Sequence, residues 1–310
     1  MELNGGPPTL ARAAAEPRAI ASITKLMTAM VVLDEGQPLA QELDVGSDDV
    51  DTVKNTHSRL RRVATLTREE LLTAALLSSD NMAALALARH SLGGRTAFVQ
   101  KMNEKARALG LADTAFVDPA GLSPANRSTP QDLAKMVATA SGYAFIRNTT
   151  TQRATLIHGL AYRNTNPWAA DPLWGIQLSK TGFTNEAGRC IAVVMEVAGA
   201  QYSVVLLGAQ SMRARARDLT AIRNWLHARH GSAAAALPVK AARWESEDTA
   251  PTEPASPAAP AAPVKTERPA TVPTDAPAEV PTHVPTHVPA PVPASTPSGA
   301  TAVDTPVPLQ

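Results

Sequence analysis

The stretch Ile20-Ala21-Ser22-Ile23-Thr24-Lys25-Leu26-Met27-Thr28-Ala29 opens an apolar, Ala/Met-rich run with helical character over residues 20–33. On a helix, positions i and i+3 share a face, so Ser22 and Lys25 can point into one site. A serine hydroxyl is a weak nucleophile until a neighbouring base takes its proton, and a neutral lysine can do that. Lysine becomes neutral at working pH only where burial or another cation lowers its pKa. Alone, Ser-x-x-Lys reads equally well as a helix cap followed by a surface lysine.

Two further triples give it company. Ser79-Asp80-Asn81 lies between two apolar helical runs, where a polar bend can project side chains into a cleft. Ser79 is positioned to relay a proton, and Asn81 to hold substrate or Lys25; all three residue types are also good helix N-caps. Lys180-Thr181-Gly182 ends a strand-like run that begins at Ile176. Its lysine and threonine offer a cation and a hydroxyl to a carboxylate, and its glycine permits close backbone approach. Each triple occurs once, and their order and helix, bend and strand contexts make the conjunction far more specific than any member.

Around these motifs the chain reads as helices first and strands second. Thr67-Arg68-Glu69-Glu70 is a capping box ahead of a helix over residues 71–77. Helices follow over residues 81–92, ended by Gly93-Gly94, and 96–109, with Phe98, Met102 and Leu109 on one side and Gly110 as its stop. Thr129-Pro130 starts another that runs to about residue 140. Residues 154–157 and 160–163 flank His158-Gly159 as a hairpin, and runs at 176–183, 189–197 and 202–209 are spaced as a meander. A helix over 212–230 closes the domain, with Leu219, Ile222, Trp225 and Leu226 at core spacing. The expected class is α+β, helices packed on an antiparallel sheet.

The 310 residues do not divide into two globular domains. Of the 26 prolines, nine fall in residues 1–230 and 17 in residues 231–310, where Trp244 is the sole aromatic. So few large apolar side chains cannot offset the entropy of ordering a core. The expectation is a domain over 1–230 and a disordered Pro/Ala-rich tail over 231–310. A spacer of polyproline character 60 residues long would reach ~190 Å. The tail repeats Thr-His-Val-Pro at 282–285 and 286–289, and His283 and His287 read as solvated. The domain carries a net charge of +5, too mild for a nucleic-acid partner. Arg213, Arg215 and Arg217 read as a solvated helix face, and Arg189 as a solvated arginine beside a turn. Cys190, the only cysteine, reads as a buried inert thiol, and His227 and His230 as helix C-terminal residues. No apolar run approaches the ~18 residues of a membrane helix.

Ser-x-x-Lys, Ser-x-Asn and Lys-Thr-Gly in this order are the set found in β-lactamases and penicillin-binding proteins. The chain resembles the serine-type D-alanyl-D-alanine carboxypeptidases, the low-molecular-mass penicillin-binding proteins, over residues 4–227. Phe116-Val117-Asp118-Pro119-Ala120-Gly121-Leu122 and Ser128-Thr129-Pro130-Gln131-Asp132-Leu133-Ala134 also resemble that family. Ser58-Arg59-Leu60, Tyr162-Arg163-Asn164-Thr165-Asn166 and the run from Lys180 to Cys190 resemble its endopeptidase branch, which cuts the D-alanyl cross-link to a diamino acid. The resemblance implies a penicillin-binding-protein/β-lactamase-like fold with an inserted helical cluster. It also implies acyl transfer on peptidoglycan stem peptides and cross-links, inhibition by β-lactams, and no cofactor or metal.

By resemblance, Ser22 is the nucleophile and Lys25 its base, with a pKa lowered by burial and by the charge of Lys180. Ser79 passes the proton to the leaving nitrogen, Asn81 fixes the substrate amide, and Lys180, Thr181 and Gly182 receive the terminal carboxylate. The backbone amides of Ser22 and Phe183 form the oxyanion hole.

Two other readings share parts of this pattern. A class A-type β-lactamase needs a glutamate that activates the deacylating water; between Asn81 and Lys180 only Glu104 is available, within a helical run. A non-catalytic muropeptide-binding scaffold draws on the start of the chain. In the family a β-hairpin precedes the nucleophile helix, and Gly6 stands where its glycine should. Residues 7–10 would be the second strand, weakened by Pro7 and Pro8, with only five residues before Gly6 for its partner. The first edge strand and an export signal are therefore expected to be missing, from a truncated or misplaced start. The substrate nonetheless implies a periplasmic protein.

Overall fold

A computed structural model describes residues 1–5, 7–62 and 65–231. The Pro/Ala-rich tail, apart from Gly231, and the hairpin glycine Gly6 lie outside the described residues. In chain order the elements are β1 (Arg18–Ala19), α1 (Thr24–Asp34), β2 (Glu42–Asp44), β3 (Thr65–Thr67), α2 (Arg68–Leu77), α3 (Asn81–Arg89), α4 (Gly94–Ala108), β4 (Arg127–Ser128), α5 (Pro130–Ala140), α6 (Ala144–Thr150), β5 (Ala154–Ile157), β6 (Leu160–Arg163), β7 (Ile176–Thr184), β8 (Gly188–Val197), β9 (Ala200–Ala209) and α7 (Met212–Arg229).

The meander β7-β8-β9 is antiparallel throughout. Its middle strand shows why it belongs at the centre. Cys190, Ala192 and Val194 pack into the helical core with α1 and α5 residues, while Ile191, Val193 and Met195 pack with Leu219 and Leu226 of α7. Successive side chains of a strand point to opposite faces, so a strand covered on both faces reads as an unbroken apolar run. On the helical side, α1 is buried from Thr24 through Val32. A helix surrounded on all sides has no solvent face, which accounts for the absence of polar residues along residues 26–33 of that run other than Thr28.

The helix signals take effect as chemistry. Thr67 Oγ1 accepts from Glu70 N at 3.2 Å, and Thr67 N donates to Glu70 Oε2 at 2.8 Å, closing the capping box of α2. Thr129 caps α5 through Asp132 N, with Pro130 at the first helical position. The β5–β6 hairpin turns at His158-Gly159. Helix α6 carries no strong signal, being a seven-residue segment with two threonines at its end; packing on β7 and α2 sustains it. The ladders β1–β4 and β2–β3 are two and three residues long, too short for periodicity to reveal.

The start of the chain departs from the expected hairpin. Residues 7–10 form no strand. Instead Glu2 bridges Tyr202, Leu3 N donates to Gln201 O at 2.9 Å, and Ser203 N donates to Met1 O at 2.8 Å. The edge of β9 is thus covered at its beginning by three residues, in place of a full strand. Beyond them an apolar cleft of about 390 Å³ lies between residues 8–14, β9 and α7. Trp225 lines it and is 39% exposed, which corrects its assignment to the core. No described helix is long and apolar enough to cross a membrane.

Thr67→Ala removes one orphan-donor partner and the reciprocal geometry of the box. It should cost about 1 kcal/mol in urea unfolding and leave the rest of the fold intact.

Candidate active site

Ser22 sits in a 3-10 turn, Ala21–Ile23, that leads directly into α1. The residue before it, Ala21, holds a left-handed φ of 47°, and Ser79 holds 63°. An L-residue pays about 1–2 kcal/mol for that conformation, so its presence beside two reactive hydroxyls shows backbone over-determined by packing. The support under Ala21 is visible. A loop over residues 118–123 winds around the Asp118 carboxylate, which accepts N–H bonds from Ala120, Gly121, Leu122 and Ser123 at 2.6–3.1 Å. Asn126 locks that loop to the turn: its side chain accepts from Val117 N at 2.7 Å and donates to Asp118 O at 2.9 Å, and its carbonyl accepts from Ile20 N at 3.1 Å. Gly121 has φ +80°, and a Cβ there would stand 2.0 Å from Ala21 O. The stretch from Phe116 to Leu122 is therefore a cradle for the nucleophile turn.

The same loop delivers a ligand to Lys25. Its Nζ donates to Ala120 O at 2.7 Å, Asn81 Oδ1 at 2.6 Å and Ser22 Oγ at 3.0 Å. Three N–H bonds use the full donor capacity of an ammonium. Lys25 is 1% exposed, and burial brings its pKa down to about 8, against the opposing pull of Asp118, Asp80 and Asp51. In the neutral form one position becomes a lone pair, and the arm toward Ser22 can receive a proton.

The second lysine makes a separate unit. Lys180 Nζ donates to Ser79 Oγ at 2.8 Å and to Thr181 O at 3.1 Å. It is also 1% exposed, and burial, with the charges of Lys25 and Arg215, holds it well below the ordinary lysine value. Burial is the leading cause at both lysines, and the repulsion between their charges adds to it.

Ser79-Asp80-Asn81 both caps a helix and turns two side chains inward. Asp80 caps α3 through Ala83 N at 3.0 Å and accepts from Ser58 Oγ at 2.7 Å, while Ser79 and Asn81 turn to the two lysines. Gly182 is buried where β7 meets the nucleophile turn, and a Cβ on it would lie 3.1 Å from Ser22 N and 3.0 Å from Ile20 O. That close approach sets β7 at Gly182, the residue before Phe183, against the Ser22 backbone. Phe183 itself is 43% exposed, with the Arg189 guanidinium stacked 3.7 Å from its ring centroid, so Arg189 is a ring partner and not a solvated charge.

Other groups at the site had no role assigned from the sequence. Thr56 Oγ1 accepts from Asn81 Nδ2 at 2.9 Å, and Thr181 Oγ1 donates to Thr165 Oγ1 at 2.6 Å. Arg213 and Arg217 are exposed as expected, but Arg215 is buried at 4% exposure and donates to Cys190 O at 3.2 Å. Burial lowers its pKa to about 10, and its charge reaches Lys180. The helical period of α7 held the signal: Arg215 shares the inward face with Leu219 and Leu226. Cys190 is buried as expected, and burial raises its pKa. Glu104 is exposed on α4.

Gly121→Ala should displace Ala21 and with it Ser22. A penicillin reporter is expected to acylate the variant at least tenfold more slowly, with loss of thermal stability in a melt. In the unsubstituted protein the acylation rate should rise with pH and level off above about 8, as Lys25 loses its proton.

Residues 1–211 match the family model described as D-alanyl-D-alanine carboxypeptidase. The D-alanyl-D-alanine endopeptidase of Pseudomonas aeruginosa is 40% identical over 213 residues, 67% of this chain and 69% of that one. The D-alanyl-D-alanine endopeptidase of Escherichia coli K12 is 40% identical over 215 residues, with the same shares. Among solved structures, the Streptomyces K15 DD-transpeptidase superposes with a TM-score of 0.68 at 29% identity, covering 74% of this chain and 95% of that one. Ampicillin-bound penicillin-binding protein D2 of Listeria monocytogenes gives 0.65 at 26% identity, covering 73% and 93%. With the family model spanning more than half its length, the chain belongs to the D-alanyl-D-alanine carboxypeptidase family and is a serine peptidase of penicillin-binding-protein fold.

Proposed function

We propose that this protein hydrolyses D-alanyl-D-alanine peptides and D-alanyl cross-links of peptidoglycan through an acyl-enzyme on Ser22. The observation that carries the reading is the buried Lys25, hydrogen-bonded at once to Ser22 and Asn81. Neutral Lys25 takes the Ser22 proton as Oγ attacks the carbonyl carbon. The backbone amides of Ser22 and Phe183 receive the developing oxyanion, each contributing about 3–4 kcal/mol to the transition state. The C–N bond then breaks, and the proton held on Lys25 passes to the departing amine through the Ser79 hydroxyl, itself held by Lys180 Nζ, which returns Lys25 to its neutral form. Lys180 and Thr181 hold the terminal carboxylate, with Arg215 supplying positive potential behind Lys180. Asn81, anchored by Thr56 and Lys25, fixes the substrate amide. Water enters, Lys25 takes its proton as the oxygen attacks the acyl carbon, and that proton returns to Ser22 Oγ as the ester C–O bond breaks and the acid product leaves.

A β-lactam presents a strained amide to the same geometry and acylates Ser22. No glutamate lies in the contacts of Ser22 or Lys25, which disfavours rapid β-lactam turnover. Endopeptidase preference rests on the 40% identical relatives and on the motifs at residues 58–60, 162–166 and 180–190. A peptidoglycan substrate implies a place outside the cytoplasmic membrane, and we assign the periplasm.

Ser22→Ala should abolish labelling by a fluorescent penicillin and cleavage of both muropeptide monomers and cross-linked dimers, read by mass spectrometry. Residual cleavage in that variant would overturn the reading. Faster cleavage of dimers than of monomers by the unsubstituted protein is the expected preference.

A further inference from the structure

Contacts run around Ser22 in a ring that closes through one ion pair. On one side Ser22 bonds to Lys25, Lys25 to Asn81, and Asn81 to Thr56. Thr56 belongs to a loop wound on Asp51, whose carboxylate accepts from Val53 N and Lys54 N at 2.9 Å, from Thr56 N at 3.2 Å and from Thr56 Oγ1 at 2.6 Å. On the other side Gly182 abuts Ser22 N, and β7 continues through Phe183 to a turn fixed by Ala187 N on Thr184 Oγ1 at 3.1 Å. Lys54 leaves the first wall and Glu186 the second, and their charged atoms meet at 2.5 Å. The two residues are 132 apart in sequence, and nothing in local structure requires them to touch.

We propose that Lys54 and Glu186 form a strap across the donor end of the substrate groove, a specificity-determining pair that a stem peptide must part to reach Ser22. The inference rests on the function proposed above. With the terminal carboxylate at Lys180 and Thr181, the remainder of the peptide extends along β7 toward Phe183 and Glu186. Both side chains are partly exposed, at 29% and 40%, so the pair is weak enough to open on each turnover. Their loops are not weak: each is fixed by its own hydrogen bonds, so opening is a movement of two long side chains and not of backbone. A ligand with no arm at that end has no reason to disturb the strap.

The test compares two probes on the full chain. One is a purified muropeptide monomer ending in D-alanyl-D-alanine. The other is 6-aminopenicillanic acid, which acylates the serine but carries no acyl arm. Lys54→Ala and Glu186→Gln should each raise kcat/KM on the muropeptide about threefold and leave acylation by 6-aminopenicillanic acid unchanged. The double variant Lys54→Glu with Glu186→Lys should restore the original muropeptide value. Raising salt should increase muropeptide turnover in the unsubstituted protein and have no such effect in the single variants. Muropeptide turnover that is unchanged or lowered, parallel change on both probes, or failure of the double variant to restore would overturn the strap. Should a single variant misfold in a thermal melt, the salt dependence of the unsubstituted protein decides alone. Failure of the underlying reading has a different signature: 6-aminopenicillanic acid would leave Ser22 of the unsubstituted protein unlabelled.

Discussion

The ammonium of Lys25, removed from water and held by three oxygens, is the constraint on which the rest of the site depends. An isolated buried charge is costly, and each of its hydrogen bonds must be provided by a group fixed in advance. One comes from the nucleophile itself, one from the bend between α2 and α3, and one from a loop carbonyl. Three separate parts of the chain therefore have to arrive at a single nitrogen. That requirement explains the Asp118 loop, the left-handed Ala21 and Ser79, and the absence of a side chain at Gly121.

Burial also sets the chemistry. A lysine in water would be protonated at neutral pH and useless as a base. Desolvation draws Lys25 toward neutrality while the surrounding aspartates hold it back, so the group rests at about 8, close to where a base works best. Asp118 and Asp80 thus have two effects: each organises backbone through N–H bonds, and each tempers the pKa of Lys25. Lys180, buried and repelled by Lys25 and Arg215, is likewise held well below the ordinary lysine value. The two lysines are held by different partners, Lys25 by Ser22, Asn81 and Ala120 and Lys180 by Ser79 and Thr181.

The sheet supplies the rigidity that this arrangement demands. Strand β7 carries Lys180, Thr181 and Gly182 past the nucleophile turn, and β8 behind it is packed on both faces. Movement of β7 relative to α1 would disturb the core on either side. The reactive groups are thus borne by elements whose positions are set by apolar packing, and the polar groups have little freedom of their own.

Sequence alone determined a good deal. The three motifs, their order and their helix, bend and strand contexts made Ser22, Lys25, Ser79, Asn81, Lys180 and Thr181 the candidates; in the structure Lys25 bonds to Ser22 and Asn81, and Lys180 to Ser79 and the Thr181 carbonyl. The capping box at Thr67, Pro130 at the head of α5 and the meander were legible because each depends on residues adjacent in sequence. What remained hidden depended on distance. Arg215 looked like one of three surface arginines, since its burial follows from how α7 lies on β8, and Trp225 looked like core for the converse reason. Thr56 carries no pattern of its own, and Thr165 lies in a stretch read only for its resemblance; folding is what sets them beside Asn81 and Thr181. The resemblance implies burial as a source of the Lys25 shift, but not the opposing pull of Asp118, Asp80 and Asp51. Local sequence fixes which groups are available and which backbone they favour; burial and electrostatic coupling are properties of neighbours brought together from far along the chain, and only the tertiary structure decides them.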